Sequence, residues 1–96
     1  NIVGKLITLF LSERIRPQMR FNSNGVMLVA GQGGNLEDQG LTYKIKGNEV
    51  LVFEDGERDW GILFSSSSPK AGDQVEMRSE DGKRNVTIIK IEAGKE

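Results

Sequence analysis

The stretch LTYKIKGNEVLVFEDGERDWGILF, residues 41–64, decides the fold. Leu41, Tyr43 and Ile45 alternate with Thr42, Lys44 and Lys46; Gly47-Asn48 then turns the chain into Glu49 to Glu54, and Asp55-Gly56 turns it again. Alternation at period two marks a strand with one wet face. Dipeptides of Gly with Asn or Asp supply the positive φ angles that tight hairpins need. Between Glu57 and Phe64, Trp60, Ile62 and Phe64 share one face and carry the heaviest aromatic payload of the chain. Gly61 falls on the opposite face, where a missing side chain permits a bend or a close backbone approach.

The same beat extends in both directions. Upstream, Met19 and Phe21 point inward together, Asn22-Ser23-Asn24-Gly25 is a turn, and Val26 to Ala30 is the returning strand. Pro17 lacks an N–H and belongs at a strand start or on an edge. Residues 1–16 are ambiguous. Ile2, Leu6, Leu9 and Leu11 fit a helix face, while the alternation from Leu9 to Ile15 favours a strand after a short helical turn. Gly31 to Gly40 reads as a long polar loop. Downstream, Ser65 to Pro69 is a second loop, Val75 and Met77 alternate, and Asp81-Gly82 closes another hairpin. Val86, Ile88, Ile89 and Ile91 form the last strand, where the adjacent isoleucines call for a β-bulge or burial on both faces. The tail, residues 93–96, is expected to fray. About seven or eight strands with short connections make an all-β, antiparallel up-and-down meander, a small barrel or sandwich in one domain spanning 1–96.

Composition narrows the chemistry. Among the 96 residues there is no His and no Cys, so the usual proton shuttles, thiol nucleophiles and soft metal ligands are missing, and disulfides are excluded. The formal net charge is -1, which gives no global attraction to nucleic acid or membrane. Locally, Lys5, Arg14, Arg16 and Arg20 face only Glu13 up to Leu36, while nine cations face thirteen carboxylates in the remainder. The apolar run Ile2 to Leu11 is too short to span a bilayer as a helix and contains Lys5. A start at Asn rather than Met reads as a processed or trimmed chain, so a signal peptide or lipid-anchor cysteine upstream is left open, and with it the compartment.

The order of Gly4-Lys5-Leu6, Phe21-Asn22-Ser23-Asn24-Gly25, Gly40-Leu41-Thr42-Tyr43-Lys44-Ile45-Lys46-Gly47-Asn48 and Asp81-Gly82 resembles the small lipocalin-like domains of bacterial envelope proteins. Leu6 stands where those domains carry a Trp. The resemblance implies a β-barrel and an extracytoplasmic lipoprotein setting, periplasmic or anchored at the outer membrane; it implies no specific ligand.

Ordinary structural roles account for most residues that could carry chemistry. Glu54, Asp55, Glu57 and Asp59 crowd one hairpin, but their spacing matches no calcium loop and Asp before Gly serves the turn. Gly31-x-Gly33-Gly34 lacks the following helix that phosphate binding needs, so it reads as a flap over a barrel mouth. Asn85-Val86-Thr87 is a glycosylation triplet, and no serine has a motif that would pair it with a basic lysine. The reading that results is a non-catalytic binding or interaction module, with no cofactor and no metal, that takes a small apolar ligand or a protein partner. Tyr43, Phe53, Trp60 and Ile62 are the expected ligand lining. The alternative is a small-barrel nucleic-acid binder using Arg14, Arg16 and Arg20.

Overall fold

Eight antiparallel strands close into a barrel in chain order in the structure, a computed structural model that describes residues 2–30 and 34–94. They are β1 (Lys5–Phe10), β2 (Gln18–Phe21), β3 (Val26–Ala30), β4 (Glu37–Lys46), β5 (Glu49–Glu54), β6 (Glu57–Phe64), β7 (Gln74–Ser79) and β8 (Gly82–Ala93). No helix occurs among the described residues. Each strand pairs with the next, and β8 returns to pair with β1 from Lys5 opposite Ala93 to Phe10 opposite Thr87. Closure removes both sheet edges that an open meander would expose.

The hairpins follow the turn chemistry. At the β5–β6 reversal Asp55 has φ 52° and Gly56 φ 82°, left-handed values that only Gly adopts freely and that Asp tolerates. Alternation sends one row inward from each strand: Ile7 and Leu9, Met19 and Phe21, Met27, Leu41, Val50 and Val52, Ile62 and Phe64, Val75, Val86 and Ile88 form one buried cluster. No polar or charged residue is buried among the described residues. The interior is therefore filled by side chains, as a narrow eight-stranded barrel requires.

Three irregularities adjust the rows. Between the pairs Val26–Thr42 and Leu28–Asp38, β4 has two more residues than β3. Leu9 pairs with Ile88 but Thr8 with Lys90, so Ile89 is the extra residue of a bulge, and it lies outside the barrel. On β6, Phe53 pairs with Arg58 and Val52 with Trp60, which makes Asp59 a second extra residue. Below the barrel, the N-terminal segment acts as a plug. The Gly4 N–H donates to the Phe21 carbonyl at 2.8 Å, and buried Ile2 shares a small hollow with Val50 and Phe64.

Several expectations are corrected. The opening contains no helical turn; it is β1 followed by a reversal at residues 11–15, where the Ile15 N–H donates to the Ser12 carbonyl at 3.2 Å and Ile15 is 51% exposed. The strand-like alternation from Leu11 to Ile15 was therefore turn sequence. The polar loop is shorter than its composition suggests, because residues 37–40 belong to β4, where the backbone pairs with β3 although these four side chains stay wet. Ile45 points into solvent, at 47% exposure, near the end of β4. Ala93 is held in the barrel opposite Lys5, and the Gly94 N–H donates to the Gly4 carbonyl at 3.0 Å, so the tail up to Gly94 is not frayed. Residues 95–96 lie outside the described residues.

Candidate functional site

At the upper end of the barrel, where the β1–β2, β5–β6 and β7–β8 connections lie, the inward rows run out and leave an open cleft of about 380 Å³. Its apolar surface comes from Leu11, Trp60 and Met77, all packed against the core. Ile62 pairs with Met77, and Trp60 stands one step above Ile62 on the inward row, diagonal to Met77 on the neighbouring strand. Met77 in turn pairs with Arg84, which belongs to the same row as Val86 and Ile88. Alternation thus places a guanidinium, rather than an apolar side chain, over the mouth. Its Nη2 donates to the Leu11 carbonyl at 3.2 Å and ties β8 to the β1–β2 reversal.

The outer flank of the cleft is braced by an ionic network. Arg78 donates to Glu76 at 2.9 Å and to Glu49 at 3.3 Å, and Arg58 approaches Glu49 at 3.9 Å. The hydrogen bond to Glu76 raises the Arg78 guanidinium above its ordinary value, so it stays charged. Gly61 lies beneath this network. A Cβ there would come within 3.3 Å of the Glu49 carboxylate and 3.5 Å of the Val50 carbonyl, so the bare backbone leaves room for the charges to converge.

The expected lining residues are not brought together. Trp60 is in the cleft. Ile62 is fully buried below it in the filled interior. Phe53 faces outward on β5 with the Lys44 ammonium 5.6 Å from its ring centroid. Tyr43 packs edge-on against Phe21, with centroids 5.0 Å apart, and its hydroxyl donates to the Asn22 carbonyl at 2.5 Å. That bond gives Tyr43 a role in holding the β2–β3 turn. Tyr43→Phe is expected to cost about 0.5–1.5 kcal/mol of stability and to leave binding at Trp60 unchanged. Urea denaturation of the variant beside a ligand titration would check both. Leu11, Met77 and Arg84 were missed as site residues, although the period-two series Arg84, Val86, Ile88 marks Arg84 as an inward position at a strand end.

The other candidates are dispersed. Arg20 donates to the Asn22 side chain at 2.7 Å near the lower end, Arg16 stacks on Phe10 at 5.7 Å from the ring centroid, and Arg14 is exposed in the reversal. Glu54, Asp55, Glu57 and Asp59 surround the β5–β6 turn in solvent. Among the described residues, no group of three or more carboxylates is placed to hold a metal ion. The glycine flap lies partly in residues 31–33, outside the described residues. Comparison with protein-family models, with curated proteins and with solved structures finds no match to this chain.

Proposed function

We propose that this barrel is a non-catalytic binding module, lipocalin-like in its sequence grammar and part of a bacterial envelope protein, that captures a small apolar ligand at its mouth. The cleft floored by Trp60, Met77 and Leu11 carries this reading. It is the place where apolar side chains continuous with the core meet solvent in a concave surface of ligand size. The filled interior means that the ligand rests on the barrel rather than inside it. The envelope setting is supported by the sequence resemblance alone.

Titration with the uncharged dye phenylnaphthylamine tests the proposal. Saturable quenching of Trp60 fluorescence is expected, with about a tenfold or greater loss of affinity in Met77→Glu, where a carboxylate replaces part of the apolar floor. Because Trp60 is the single tryptophan of the chain, the signal reports this site directly. Absence of a saturable change would end the ligand reading.

A further inference from the structure

We infer that the mouth cleft selects a compact aromatic anion, a ring system carrying one carboxylate or sulfonate, over a neutral ligand of the same shape. The inference rests on reading the cleft as the binding site and adds the chemical class of what it holds.

Three observations converge. First, the cationic side chains around the cleft are unequal. Arg78 is already matched by Glu76 and Glu49, whereas Lys83 and Arg84 have no carboxylate partner among the described residues. The one carboxylate lining the cleft, Asp81, pairs with neither of them, which leaves two unmatched cations against one anion. Second, Arg84 sits on the inward row above Val86 and spends one N–H on the Leu11 carbonyl. That contact orients the guanidinium while the rest of its fork borders the cleft, ready to take an anionic oxygen pair in bidentate fashion. Third, the floor is short. Ile62 and Ile88 are both fully buried beneath it, so a long acyl chain finds no shaft to descend, whereas a ring system can lie on the Trp60 indole and reach Arg84 with its charged group. Carboxylates at the same end, Asp59 and Glu80 beside Trp60 and the rest of the β5–β6 turn, lie outside the cleft lining. Direct contact with Lys83 and Arg84 on the β8 side of the apolar floor, and not the charge of the whole rim, therefore separates ligands once shape is equal. The neutral analogue would leave the cations to water, and the anion would engage them.

The decisive experiment compares anilinonaphthalene sulfonate with phenylnaphthylamine, its uncharged parent, by Trp60 quenching and dye emission on the intact chain. The sulfonate is expected to bind about five- to tenfold more tightly at low salt, and the preference to shrink at high salt because the cations are exposed. The double variant Lys83→Gln, Arg84→Gln is expected to bring the affinities of the two dyes to within about twofold of each other, the ratio being the readout because loss of the Arg84 bond to the Leu11 carbonyl can shift both together. Circular dichroism of the variant, unchanged from the parent, shows that it is folded. Arg84→Lys is expected to restore only part of the preference, since an ammonium lacks the planar fork. Equal affinity of the two dyes for the unaltered protein, or a preference that survives the double variant, would overturn the anion selectivity and leave the apolar site standing. Failure of the neutral dye to bind the unaltered protein would overturn the site itself.

Discussion

Phe21→Ala is expected to lower the stability of the barrel by about 3–5 kcal/mol, against roughly 5–15 kcal/mol for a whole domain. Phe21 is the largest of the fully buried side chains, at 0% exposure, and it joins three parts of the structure. Its ring meets Tyr43 of β4 edge to face. Its backbone pairs with Met27 across the β2–β3 hairpin, and its carbonyl receives the Gly4 N–H, which fixes the N-terminal plug. Truncation removes the apolar contacts and leaves a void that neighbours pointing into the same interior from other strands cannot collapse to fill, because a closed barrel restrains each strand from both sides. A denaturant titration followed by circular dichroism measures the loss. A shift below about 1 kcal/mol would mean that the ring is not in the packed interior.

The paired substitutions Ile88→Thr and Ile89→Thr are expected to differ sharply although the residues are neighbours. Ile88 is 0% exposed on the inward row opposite Leu9, so Thr there loses apolar volume and brings a hydroxyl into a cluster without polar partners, at a cost of about 2–4 kcal/mol. Ile89 is the bulged residue, 38% exposed on the outer surface, and Thr is a good strand former, so the change should fall within about 0.5 kcal/mol. Without the bulge the two isoleucines would point to opposite faces just the same, but Ile91, which packs against the core, would fall on the outer face with Ile89. Equal costs for the two substitutions would show that the β1–β8 closure has a different register.

The resemblance between the two outcomes and the primary sequence is uneven, and particular residues show why. β3, β5 and β6 were legible to the residue because alternation and turn dipeptides act over a few positions. The β1–β2 reversal was not, since Leu9, Leu11, Glu13 and Ile15 continue the alternation against Ser12, Arg14 and Arg16, with no Gly or Asn to announce the turn. For the candidate site, Trp60 was legible from its place in series with Ile62 and Phe64. Phe53 was not. From Glu49 to Glu54 both rows contain apolar residues, Val50 and Val52 on one and Leu51 and Phe53 on the other, so local periodicity does not choose the inner row. Pairing of Tyr43 with Val52 makes that choice.

Sequence alone determined that this chain is an antiparallel meander, because hairpin turns and strand alternation are set by neighbours within reach of one another along the backbone. Tertiary structure decided the closure of β8 onto β1, the filling of the interior, and the gathering of Leu11, Trp60, Met77 and Arg84 at one mouth. Those depend on how the strand phases accumulate around the ring, through the extra residues Asp59 and Ile89 and the two that β4 carries between Asp38 and Thr42, and that sum exists only once the last strand meets the first.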